Sequence, residues 1–192
     1  GLPSFPPMNA APFDATARAS LLSIRAVFDC LTQLGEGMRA EPALATSWRN
    51  TDQLTWVVKL RPDVTFSNGE PMNAEAVVFS YEFLKTPEAV RQVTAGEVTN
   101  IDTVRAIDAL TVEFKTKLPD QRFPQRMAII PIVAPAHWKK VGVDGYTREP
   151  VGTGPFIVEK WDAARVTLTA FKKSWRAPVV DRMEILNLPL AT

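Results

Sequence analysis

His137 and Cys30, the sole imidazole and the sole thiol of this 192-residue sequence, are the first candidates for nucleophilic or acid–base chemistry. A nucleophile needs a base within hydrogen-bond reach. His137 lies between Pro135-Ala136 and Trp138-Lys139-Lys140, on an expected short helix, and a lone histidine there reads better as a surface or helix-cap residue than as a base. The carboxylates are no more suggestive. Asp14, Asp29, Asp63 and Asp108 stand singly beside turns or helix ends, where acidic side chains commonly accept bonds from backbone N–H groups. No acid and base are nominated, so the expectation is a protein that is not an enzyme. One cysteine also excludes an internal disulfide framework and a multi-cysteine zinc site, and neither a metal nor a cofactor is expected.

Two other features invite chemistry and are read more plainly. Gly152-Thr153-Gly154-Pro155 lacks the lysine of a phosphate loop and runs into a strand, so a sharp backbone turn is expected there. Five tryptophans could stack on sugars or bases, but Trp56 and Trp161 sit inside apolar strands, which favours core packing. With 22 basic against 21 acidic residues the net charge is +1, and neither sign forms a run. Electrostatic capture of nucleic acid or an anionic membrane is therefore not expected. A composition of 46% hydrophobic and 22% charged residues is that of an ordinary globular chain long enough to build its own core. No run approaches the roughly 18 apolar residues of a membrane span. The opening Gly1-Leu2-Pro3 leads to the expectation that any export signal lies outside the sequence.

The elements that must position these residues follow from hydrophobic periodicity. Leu21, Ile24, Val27, Phe28 and Leu31 recur at helical spacing up to Gly35-Glu36-Gly37, predicting one amphipathic helix. Pro42 to Trp48 is expected to be a helical turn. Leu54, Trp56, Val58 and Leu60 alternate as in a strand, and Val64-Thr65-Phe66 runs into a turn at Ser67-Asn68-Gly69. Asn73 is placed to cap a helix whose inner face is Val77, Val78, Tyr81 and Leu84. Pro87 to Val93 reads as a further turn, and Val104–Ile107 with Leu110–Phe114 as a hairpin. Helical stretches are expected over 122–129 and 135–141, a second hairpin over 156–171, and a last strand over 183–188. Sixteen prolines agree with many short elements, and mixed strands and helices without strict alternation imply an α/β or α+β architecture.

At Pro42-Ala43-Leu44-Ala45-Thr46-Ser47-Trp48 the sequence resembles the family 5 extracellular solute-binding proteins, the receptors of dipeptide, oligopeptide and nickel ABC importers. The similarity continues in order through Leu54-Thr55-Trp56, the run from Lys59-Leu60-Arg61-Pro62-Asp63 to Phe79-Ser80, Ala106 to Phe114, Pro150 to Phe156, and Val180-Asp181-Arg182. Departures are local. Phe28-Asp29-Cys30-Leu31 stands where the family usually has tyrosine, glutamate, glycine and leucine, and Asn68 replaces a common aspartate.

The resemblance implies the first lobe of a type II periplasmic-binding-protein-like fold, with the second lobe absent. Residues 1–35 and 150–192 would form its ligand-facing sheet region, and 36–149 the extra α+β subdomain of the peptide-binding receptors. It further implies a receptor that binds a peptide or peptide-sized solute in an interlobe cleft and delivers it to a membrane permease. Such a receptor is expected to be monomeric, periplasmic or lipid-anchored outside the cell. By the same resemblance Thr16, Ala17, Arg18, Ala19, Ser20 and Arg91 are the ligand-binding candidates. Solvated surface charge is the competing reading of Arg18 and Arg91. Two alternative functions stand beside it: the same fold holding a metal chelate, sugar or other small solute, and a self-contained hydrolase built on His137.

Overall fold

The computed structural model describes residues 11–14, 24–162 and 165–186. A four-stranded sheet occupies the middle of the chain. Its strands are β3 (Ala45–Asn50), β4 (Thr55–Leu60), β5 (Ile101–Asp108) and β6 (Thr111–Thr116), in the order β3-β4-β6-β5 and antiparallel throughout. Central strand β4 buries Trp56, Val58 and Leu60 as their alternation requires. The β5–β6 hairpin turns at Asp108, whose carboxylate accepts from Leu110 N at 2.8 Å. Before this sheet lies a short hairpin of β1 (Thr32–Leu34) and β2 (Ala40–Pro42), closed by a 3-10 turn in which Gly37 takes φ 65°. After it comes a three-stranded antiparallel sheet in sequential order: β7 (Phe156–Trp161), β8 (Arg165–Ala170) and β9 (Arg182–Leu186).

Helix α1 (Ala74–Leu84) packs across β5 and β6. Asn73 caps it as expected, its Oδ1 accepting from Ala76 N at 3.1 Å. The apolar face carries Tyr81 edge-on to Phe114 at 4.9 Å, and Phe114 in turn meets Phe123 at 5.0 Å. Phe123 begins the short helix α2 (Phe123–Arg126). Helix α3 (Pro135–Arg148) runs well beyond the expected residue 141, kinked at Gly142 with φ 69°. It sets Trp138 against Phe83 and Tyr146, each at 4.7 Å. The buried Tyr146 hydroxyl donates to Val151 O and accepts from Ala134 N at 2.9 Å, which ties both ends of α3 together.

Three local expectations are corrected. Residues 24–27 are helical, but the chain then straightens: Cys30 bridges to Pro131, and Ile132 N donates to Asp29 O at 2.9 Å. Phe28 N closes the last helical turn on Ile24 O at 2.7 Å, whereas Leu31 is buried from a non-helical bend, so the helical spacing does not carry through to it. The stretch expected as a helical turn at 42–48 is mostly β3, because pairing with β4 supplies its backbone bonds. Gly154 is needed for close approach instead of for a left-handed turn. A Cβ there would lie 2.6 Å from Val27 C, and one on Gly152 only 1.9 Å from Val27 O. Gly69, at φ 90°, does meet the turn requirement expected of it.

Candidate functional site

The residues just before one segment expected to face a ligand lie against those just after the other. Phe13 is fully buried against Phe83 and Trp138, with ring centroids 5.8 and 5.5 Å away. Its carbonyl accepts from both the backbone N and the hydroxyl of Thr94, each at 3.1 Å, while Val93 N donates to Asp14 Oδ1 at 3.3 Å. The chain is thus pinned at 13–14 onto 93–94. Thr16, Ala17, Arg18, Ala19 and Ser20, which follow, lie outside the described residues. Arg91 ends the 3-10 turn Pro87–Arg91 with its side chain exposed.

A cavity of about 320 Å³ opens next to this junction. Pro12, Ile24, Phe28, Val93, Ile129 and Pro131 form most of its apolar wall. The two charged lining residues are Arg25 and Glu97; Glu97 is engaged by Arg126 Nη1 at 2.9 Å, and among the described residues Arg25 has no ion-pair partner. Arg91 is not among the lining residues. The size and lining are those of a site for a small, largely apolar solute or side chain.

The backbone at Arg25 is tied to a buried carboxylate through Arg176. Asp29, read from the sequence as a turn or helix-end acid, is instead 6% exposed and accepts from Thr153 Oγ1 at 2.8 Å and Trp175 Nε1 at 2.9 Å. Arg176 donates to it from Nε at 2.8 Å and Nη2 at 2.6 Å, and the same Nη2 reaches Arg25 O at 2.7 Å. The guanidinium of Arg61 lies 4.3 Å from the Trp175 ring centroid. The sequence gives no sign of Arg25, and it points to Asp29 only as an isolated capping acid. The available signal was an acid set between Phe28 and Leu31: a carboxylate flanked by buried positions must find paired donors.

Among the described residues no catalytic constellation forms. The His137 ring bonds Glu149 O through Nε2 at 2.8 Å, and its backbone N donates to Glu70 Oε1 at 3.0 Å. Among the described residues no hydroxyl or thiol is bonded to that ring. Burial pushes the Cys30 thiol up to about 12, the opposite of an activated nucleophile. Among the described residues no three His, Cys, Asp or Glu side chains group as metal ligands, and no helix is long and apolar enough to cross a membrane.

The described residues form a mixed helix and sheet lobe with an apolar groove. Sequence comparison gives the family: the chain belongs to the bacterial extracellular solute-binding proteins, family 5, whose middle-region profile matches residues 39–189. It is 29% identical over 174 residues to the glutathione-binding protein GsiB of Pectobacterium atrosepticum, covering 86% of this chain and 33% of that protein. It is 26% identical to the HTH-type transcriptional regulator SgrR of Salmonella typhimurium, covering 96% of this chain and 32% of the regulator. Among solved structures, the binding protein MoaA of A. tumefaciens R10 in complex with mannopinic acid superposes with a TM-score of 0.85 at 30% identity, over 96% of this chain and 39% of that one. The chain spans about a third of the length of the curated relatives it matches.

Proposed function

We propose that the chain is the first lobe of a solute-binding receptor serving an ABC importer. It takes a peptide or peptide-sized solute between itself and a second lobe and hands it to a membrane permease. In this reading residues 1–35 and 150–192 face the ligand, 36–149 form the extra subdomain, and Thr16 to Ser20 with Arg91 border the cleft. The receptor acts outside the cytoplasm as a monomer, without catalysis and without nucleic acid. The observation that supports it most is the pinning of Phe13-Asp14 onto Val93-Thr94 beside an apolar groove that carries the charge of Arg25. The glutathione-binding protein GsiB and the MoaA complex with mannopinic acid support a small solute.

Calorimetry tests the division of the cleft. The chain by itself is expected to bind a di- or tripeptide no tighter than about millimolar, because half the surface that would desolvate the ligand belongs to the second lobe. Micromolar affinity from this chain overturns the reading. Arg18→Ala in the two-lobed receptor lowers affinity for a carboxylate-bearing solute, and unchanged affinity removes Arg18 from the site.

A second reading rests on the match to SgrR along 96% of the chain, in which the same lobe senses a solute within a transcriptional regulator. The coding sequence upstream separates the two: an export signal supports the importer receptor, and a regulator's additional domain supports the sensor.

A further inference from the structure

A second groove, of about 600 Å³, lies on the other side of the 3-10 turns, where the end of α1 meets β5. Leu84, Pro87, Val90, Ala95, Val98 and Ile101 supply an apolar wall, and Val90 is 76% exposed on it. The polar lining groups have their donors committed. Thr86 Oγ1 donates to Phe83 O at 2.7 Å and Thr99 Oγ1 to Gly96 O at 2.9 Å. The last turn of α1 is capped as well, since Lys85 N and Thr86 N donate to Glu82 O and Phe83 O. What the groove offers a ligand is therefore apolar surface and two ammonium groups, Lys85 and Lys117, with no acidic residue among those lining it.

The two lysines differ. Lys85 Nζ is neutralised by Glu82 at 2.9 Å and also donates to Asp102 O at 2.7 Å. Lys117 Nζ donates to Thr99 O at 2.8 Å, which fixes it at the rim, and among the described residues no carboxylate pairs with it. An ammonium carries three N–H donors, so Lys117 can hold an anion without releasing that carbonyl. We propose that this groove binds a small single-chain amphiphile with a carboxylate head, its apolar body along Val90, Val98 and Ile101 and its head on Lys117. The site shares no lining residue with the groove beside Arg25, so it is independent of the receptor reading.

Gly96 gives a clean test. Its φ is outside the left-handed region and a Cβ there meets nothing within 4 Å, so Gly96→Leu adds bulk at the groove lining without a backbone clash. Decanoate is titrated into the isotopically labelled chain, and amide shifts at residues 90–99 are followed. Saturable shifts are expected, with affinity reduced at least about tenfold by Lys117→Gln, the change for losing one hydrogen bond to a charged group. Decanol, which keeps the chain and loses the charge, is expected to bind weaker by a similar factor, and Gly96→Leu to abolish the shifts at an unchanged melting temperature. Equal binding of decanol, or no saturable response to decanoate, overturns the proposal. So does a concentration-dependent dimer that Gly96→Leu disrupts, which would assign the groove to a second copy of the chain.

Discussion

Four donor atoms converge on the carboxylate of Asp29, and its partners Thr153, Trp175 and Arg176 all stand more than 120 positions along the chain. Asp29→Ala leaves those donors without their acceptor and is expected to destabilise the chain by about 3 kcal/mol, the lower range for opening a buried ion pair from one side. Urea unfolding at constant m checks this. A loss below about 1 kcal/mol would mean that Arg176, whose side chain is 37% exposed, recovers its hydration freely. The neighbouring Cys30 thiol titrates near 12 when folded against about 8.5 when unfolded, so the native state keeps its proton to higher pH. Its contribution is full below the unfolded value and is lost as pH rises toward the folded one. Cys30→Ala should flatten the alkaline decline in stability between about pH 8 and 11, and an alkylating reagent should modify the native thiol far more slowly than the denatured one. Cys30 carried no sign of this burial in sequence, because its neighbours read as a helix. Asp29 was legible as an acid beside apolar residues, but its partners were too distant along the chain to be named.

Among the elements, those whose pattern had one solution were readable and those with two were not. The Asn73 cap, the face of α1 and both later hairpins carry period and punctuation together, and they stand where expected. Ala45–Asn50 has neither alternation nor β-branched density, and only the bonds offered by β4 make it a strand. Phe28 and Leu31 are three apart in any conformation. The charges across a sheet are testable at this level. Arg105 and Glu113 face each other in the β5–β6 register, and the Arg105 hydrogen bond at 2.7 Å holds the Glu113 carboxyl below the usual carboxylate range. A depressed folded value means stability present above the usual carboxylate range and lost as pH falls through the folded value. In Arg105→Ala the Glu113 midpoint, followed by side-chain carboxyl resonances, should rise toward that of a free glutamate, and an unmoved midpoint would show the pair does not persist in solution.

For the molecule as a whole, the motifs of the family reported the scaffold, and the scaffold is what the structure displays most plainly. The ligand candidates at 16–20 came from resemblance alone. The groove beside Arg25 could not be read from sequence because residues near 12, 25, 93 and 130 share no local pattern and meet only through folding. Backbone-to-backbone contact joins the two ends of the chain at Gly152 and Gly154. Gly154→Ala, whose Cβ would lie 2.7 Å from both Ala26 O and Val27 O, is expected to cost about 2 kcal/mol in thermal or urea unfolding, in the range for overpacking. A destabilisation near zero would mean that residues 26–28 shift away without penalty. The same seam has a consequence in time. Joining Val27 to Gly154 and Asp29 to Thr153 closes a loop of well over a hundred residues, whereas the β5–β6 hairpin closes over a handful. Chain-closure entropy places the hairpin early and the seam late on the folding path. In stopped-flow refolding with pulsed hydrogen exchange, amides of 101–116 should therefore gain protection before the Gly154 amide does. A ribosome would release most of this chain before Val27 and Asp29 meet the partners that keep them in place.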